Sequence, residues 1–194
     1  ECPVIKPNFT ETENEDYQPY RRDPETVTRE WAIPGTPKQE HRLGGLEKMN
    51  ITGNVSYVPE NHEVMTNYRD AKVNKVVDYV PDLKTRGYDE GELLVVGWGG
   101  TYGHLANAVK NMWKKGHEEV SLAHFNYIYP LPANTEQVLK KFKKVIVCEL
   151  NNGQFADYLR MNFQDVEFMQ YNKVQGLPFT ISELENEFHK ILEG

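Results

Sequence analysis

The chain has only two cysteines, Cys2 and Cys148, in 194 residues. That is too few for a disulfide scaffold and too few to ligate an iron–sulfur cluster. No apolar run approaches the ~20 residues of a membrane-spanning helix, and no signal-peptide pattern opens the sequence. Positive charge is scarce: 22 Lys and Arg stand against 29 Asp and Glu, a net charge of -7 with no basic block. That balance argues against nucleic acid or an anionic membrane as a partner. The six histidines, at 41, 62, 104, 117, 124 and 189, lack metal-ligand spacing, and no serine nucleophile elbow or Cys–His signature occurs. The expectation is a reduced, cytoplasmic protein with Cys148 buried in a strand. Glu1 stands where a start methionine would, so the chain reads either as a mature protein that begins there after processing or as a portion of a longer polypeptide, with chemistry missing here placed on the remainder.

What is present divides near residue 90. Residues 1–90 hold 8 of the 11 prolines and 17 of the 29 acidic residues. Residues 1–58 show no sustained period of 2 or 3.6, and each proline removes a backbone donor and pushes its predecessor out of the α region. The segment reads as an extended interdomain connector, with Tyr17, Tyr20, Trp31, Ile33 and Leu43 as apolar anchors. Residues 59–194 read as the folded domain. Met65, Tyr68, Val73, Val76, Val77 and Val80 predict an amphipathic helix over 60–80, closed by Pro81.

Beyond residue 90 a strand–helix unit repeats. Apolar strands are predicted at 93–97, 120–125, 145–149 and 166–171. Helices are predicted at 104–115, from Asn134 through Phe142, from Gly153 to 162, and from Thr180 to 192. Asn134 with Gln137, and Thr180 with Glu183, carry capping-box spacing. Wholly apolar strands alternating with helices imply a three-layer α/β/α, Rossmann-like sheet that is mostly parallel. Ligands and partners of such sheets meet the carboxyl ends of the strands.

Two motifs fall at those ends. Gly97, Gly99, Gly100, Thr101, Tyr102 and Gly103 form a glycine-rich turn between the first strand and its helix. Its spacing departs from the dinucleotide fingerprint, Asn126 and Tyr127 stand where a ribose-binding acid belongs, and the Walker Lys-Ser/Thr pair is absent. A tight packing or interface turn is the better reading, and a nucleotide cradle the alternative. Glu149 is followed by Asn151, Gly153 and Gln154, residues suited to a helix cap or an interface; a general base would want a second acid or a histidine beside it. Asn8, Asn50 and Asn54 open glycosylation triplets, but nothing else marks secretion.

The connector carries a more specific signal. Tyr20-Arg21-Arg22-Asp23-Pro24-Glu25-Thr26, Trp31-Ala32-Ile33-Pro34-Gly35-Thr36-Pro37, and Glu40-His41-Arg42-Leu43-Gly44-Gly45-Leu46-Glu47 resemble the α subunit of 2-oxoacid:ferredoxin oxidoreductases, especially the 2-oxoglutarate enzymes. Thr52–Tyr57, Pro59–His62, Gly97–Gly103, Glu149–Gln154 and Asn172–Gly176 before Pro178-Phe179 continue the likeness in order. Gly100 and Asn152 depart from it, where relatives often carry Ser and Leu.

The resemblance implies a fold like the carboxy-terminal domain of transketolase, with one strand possibly antiparallel. It implies upstream domains of the same subunit, a β subunit, and ferredoxin as electron acceptor. Thiamine diphosphate, Mg and an iron–sulfur cluster would belong to the whole complex and none of them to this portion, which would serve assembly and be inactive alone. The family reaction is oxidative decarboxylation of a 2-oxoacid with coenzyme A. His41, Arg42, Gly44 and Gly45 are expected either near the substrate or coenzyme A entrance or in an Arg–carboxylate staple between domains. A free-standing Rossmann-like nucleotide or coenzyme binder is the alternative function.

Overall fold

The computed structural model describes residues 7–194, so Cys2, Pro3 and the first residues of the expected connector lie outside the description. Contacts divide the chain into two units, Glu1–Asp78 and Tyr79–Gly194. The division falls after the helix at 59–74, whereas the lack of periodicity over residues 1–58 predicts a boundary between 58 and 59.

In the first unit, residues 7–58 form a succession of turns and bends punctuated by prolines, joined by isolated bridges between Phe9 and Trp31, Tyr20 and Ile51, and Lys48 and Val55. Its buried side chains are Thr10, Pro19, Thr36, Gln39, Lys48, Ser56, Asn61 and Met65 among the described residues. Six of these eight are polar, so hydrogen bonds rather than an apolar core order the segment. Gln39 Nε2 donates to the carbonyls of Glu11 and Asn14 at 2.7 and 3.2 Å. The Asn61 side chain accepts from Asn50 N and donates to Lys48 O, each at 2.8 Å. The apolar anchors expected to dock do so incompletely. Trp31, Ile33 and Leu43 are 64%, 44% and 74% exposed, because the side chains that close this unit are amides and hydroxyls. Helix α1 (Pro59–Asn74) starts with proline at its first position, where no amide is needed. It buries only Asn61 and Met65, then passes into a 3-10 turn over Lys75–Tyr79. The apolar spacing that predicted one helix to residue 80 leaves Val73 and Val76 exposed.

The second unit carries β1 (Thr85–Arg86), β2 (Gly91–Trp98), α2 (Tyr102–Lys114), β3 (Val120–Phe125), α3 (Thr135–Leu139), β4 (Phe142–Glu149), α4 (Gln154–Asn162), β5 (Phe168–Asn172) and α5 (Ile181–Glu193). Strand order is β1-β3-β2-β4-β5. The last four strands of the chain run parallel, and β1 pairs antiparallel with β3. The mostly parallel α/β sheet expected from the apolar runs is therefore present. In β2, Leu94 and Val96 face one layer, with Phe155 and Leu159 of α4. Leu93 and Val95 face the other, with Leu105, Val109 and Met112 of α2 and Leu184 and Phe188 of α5. Alternation along one strand thus feeds two cores. Cys148 sits wholly inside the second, and burial pushes its thiol pKa up.

The capping motifs split. Thr180 Oγ1 accepts from Glu183 N at 3.3 Å and starts α5. Asn134 does not cap α3; its side chain accepts from Leu83 N and donates to Leu83 O at 2.8 and 2.9 Å, pinning the segment before β1. Helix α3 then ends at Leu139, and Phe142 opens β4 instead of closing a helix.

Candidate functional site

The carboxyl ends of β2 and β4 meet at Glu149, which is fully buried. Its Oε2 accepts from Trp98 Nε1 at 3.2 Å, Asn151 Nδ2 at 2.9 Å and Phe155 N at 3.0 Å; its Oε1 accepts from Ala156 N at 2.9 Å. Phe155 and Ala156 are in the first turn of α4, where backbone N–H groups lack intrahelical partners and a carboxylate is favoured. Asn151 Oδ1 takes two more, Gly153 N at 2.7 Å and Gln154 N at 3.2 Å. Glu149 and Asn151 therefore cap α4 together. Four donors hold the Glu149 carboxylate, three on Oε2 and one on Oε1, and it is closed off from solvent. Gly153 is needed here: its φ is 99°, and an added Cβ would overlap the Gln170 amide.

The glycine-rich turn holds two kinds of glycine. Gly97 lies against α2, where an added Cβ would overlap Leu105 Cδ1 and come within 2.8 Å of Thr101 Oγ1. Gly99 has φ 58° with open space around it, and Gly100 and Gly103 have open space and ordinary φ. Thr101 is buried and donates to Trp98 O at 2.8 Å, which closes the turn onto the end of β2.

Beside this turn opens a cleft of about 720 Å³. Its walls include Lys84 and Arg86 around β1, Gly99 and Tyr102 at the start of α2, and His124, Asn126 and Tyr127 at the end of β3. Arg86 Nη1 donates to Tyr102 OH at 3.2 Å, and the Tyr102 ring stands edge-on to His124 at 5.1 Å. His124 Nδ1 is buried without a hydrogen-bond partner. Burial holds the His124 imidazole below its ordinary pKa, with the Gly99 backbone opposing. These groups can bind and orient a polar molecule, and no nucleophile–base pair stands among them. Lys84 and Arg86 belong to no sequence motif, and His124 enters the sequence reading only as one of six histidines without metal-ligand spacing.

The other expected residues lie in the first unit. His41 Nδ1 is 3.0 Å from Gln39 O, and its ring is tilted against Tyr17 at 5.7 Å. Arg42 is exposed. Both line a hollow of about 420 Å³ with Lys38 and Glu40. Gly44 takes φ 113° and Gly45 does not take a positive φ.

Among the described residues no group of three or more His, Cys, Asp or Glu side chains is placed to hold a metal ion. Cys148, the described cysteine, is buried in the core. Glu149 is consumed by its cap. No helix among the described residues is long and apolar enough to cross a membrane.

No protein-family model matches the chain. Over 193 residues, 99% of the chain, it is 41% identical to the 2-oxoglutarate oxidoreductase subunit KorA of Mycobacterium tuberculosis, and it spans 29% of that subunit. A solved 2-oxoglutarate:ferredoxin oxidoreductase from Magnetococcus marinus, with 2-oxoglutarate, coenzyme A and succinyl-CoA bound, superposes on 98% of the chain. The TM-score is 0.87 at 27% identity, and 33% of that protein's chain is covered. A split-gene transketolase aligns over 57% of the chain at TM-score 0.44 and 11% identity, too distant to bear on function or fold. The likeness to 2-oxoglutarate:ferredoxin oxidoreductases read from the connector and turn motifs is thus borne out along almost the whole chain. The chain spans about a third or less of the length of the relatives it matches.

Proposed function

We propose that this chain is the assembly and interface portion of the α subunit of a 2-oxoglutarate:ferredoxin oxidoreductase. The complete enzyme would convert a 2-oxoacid and coenzyme A to an acyl-CoA and CO2, passing two electrons to ferredoxin. Thiamine diphosphate, Mg and an iron–sulfur cluster would be held outside these residues, by other domains of the subunit and by a β subunit. The observation that carries the reading is 41% identity across 99% of the chain to an oxidoreductase subunit. The local chemistry supports it. The deeply buried Glu149 carboxylate at the strand ends is spent on a helix cap, and the residues around it build an edge of strand ends and a helix start. Glycines 97, 99, 100 and 103, with Thr101, Tyr102, Asn151, Gly153 and Gln154, would present that edge to partner surfaces. The 194-residue chain would be inactive alone.

Co-purification of the complete α subunit with its β partner, followed by assay on a panel of 2-oxoacids, tests this. The expected result is coenzyme A-dependent reduction of ferredoxin with 2-oxoglutarate as the preferred substrate, and none from the 194-residue chain. A complete subunit that forms no complex, or a complex inert toward every 2-oxoacid, overturns it.

A further inference from the structure

Residues 7–78 contain nine basic and thirteen acidic side chains, yet their charges are not evenly mixed. Five of the nine basic residues, Arg22, Arg29, Lys48, Arg69 and Lys72, line one hollow of about 260 Å³, and Glu47 is its only acidic wall residue among the described residues. Arg69 spends its charge on Glu47, at 3.2 and 3.4 Å. The other four cations form no ion pair among the described residues.

How these charges are held matters. Lys48 is 2% exposed, and its ammonium donates to the carbonyls of Gly44, at 2.9 Å, and Leu46. Arg22 donates to Tyr20 O at 3.1 Å and Asn50 Oδ1 at 2.9 Å, and its guanidinium lies over the Tyr68 ring at 4.4 Å. Arg29 donates to Pro19 O at 2.9 Å and lies over the Tyr20 ring at 4.1 Å. Carbonyls and aromatic faces fix cations in place without neutralising them. A buried charge with no counter-ion is costly, and like charges in one hollow repel one another. An anion entering the hollow would relieve both.

We infer that this hollow binds a compact polyvalent phosphate group. The charge excess is four, which a single carboxylate would leave mostly unbalanced and a diphosphate would largely match. Planar guanidinium forks suit phosphate oxygens. The hollow is also a single small recess, without the length an acidic peptide needs to lie down. The inference is independent of the proposed function, because it rests on charge placement within residues 7–78.

The test is calorimetric titration of the 194-residue chain with sodium pyrophosphate at low salt, without divalent cations. Saturable binding is expected, weakened about tenfold by Lys72→Glu and changed little by Lys75→Glu. Lys72 and Lys75 are both exposed, so the two variants make the same charge change outside any core. Circular dichroism confirms that both fold. ADP as a second probe distinguishes sources: equal affinity assigns bare phosphate and tighter binding a nucleotide, and either supports the site. Absence of saturable pyrophosphate binding, equal loss in the two variants, or tighter binding of a glutamate-rich peptide overturns it.

Discussion

Trp98 and Glu149 close β2 and β4, fifty-one residues apart, and the indole N–H of the first donates to the carboxylate of the second at 3.2 Å. The same carboxylate takes two backbone N–H groups of α4. One buried side chain thereby joins two adjacent strands to the start of a helix, at the edge where α/β sheets present their functional surfaces.

Glu149→Gln tests this joint. The amide replaces one accepting oxygen with an NH2 facing donors, so at least one buried N–H loses its acceptor. The expected loss of stability is about 2–3 kcal/mol, read from urea unfolding. Trp98→Phe removes one donor and leaves the carboxylate three, so it should cost about 1 kcal/mol. The double variant should cost less than the sum, because the two residues share one contact. Strict additivity would show that the indole is a bystander.

The glycines rank themselves. Gly97→Ala places a methyl into Leu105 and Thr101, between a strand and a helix that cannot both yield, and should be the most damaging of the turn. Gly99→Ala meets open space but must adopt φ 58°, at about 1–2 kcal/mol. Gly100→Ala and Gly103→Ala, with open space and ordinary φ, should be close to neutral. Thermal unfolding of the four variants checks the order. Equal effects at all four would mean that the turn is limited by something other than these two constraints.

Much of the second unit was legible because buried parallel strands are continuous apolar runs: 93–97, 120–125 and 145–149 lie inside the observed strands. The short β1 was not, since two residues carry no period. Asn134 misled because its partner, Leu83, is fifty-one residues away, and capping-box spacing cannot reveal a competing long-range bond. The glycine turn and the Glu149 motif were found from strand-to-helix context, but which glycine is packed and which is twisted required the neighbouring side chains. The first unit was hardest. Its buried side chains are mostly polar and aperiodic, so neither the five cations around one hollow nor the exposure of Trp31 leaves a pattern in the chain.

Glu47 supplies a pH dependence. Hydrogen bonds from Arg69, then from His62, hold its carboxyl down at about 2, against an ordinary 4.5. A depressed folded-state pKa stabilises the fold above 4.5 and loses that contribution as pH falls from 4.5 toward about 2. Thermal midpoints of the native chain and Glu47→Gln should therefore differ most at neutral pH and converge through that window. A constant difference down to pH 2 would assign the effect of Glu47 to packing. NMR titration of the carboxyl carbon gives the same answer directly.

Arg42 offers the sharpest separation between a structural and a functional role. Its guanidinium is exposed and forms no ion pair among the described residues, whereas His41 beside it is anchored on Gln39 and Tyr17. Removing an exposed, unpartnered side chain alters stability by no more than about 0.5 kcal/mol. Arg42→Ala should therefore leave the unfolding midpoint of the 194-residue chain unchanged, and any larger effect must arise in the assembled enzyme. We propose that Arg42 faces substrate or coenzyme A there. A raised KM at unchanged kcat, with normal association of the subunits, is the expected signature of lost binding that is equal in ground and transition states. Loss of subunit association instead would make Arg42 an interdomain staple. Unchanged kinetics with intact association would remove it from the site altogether.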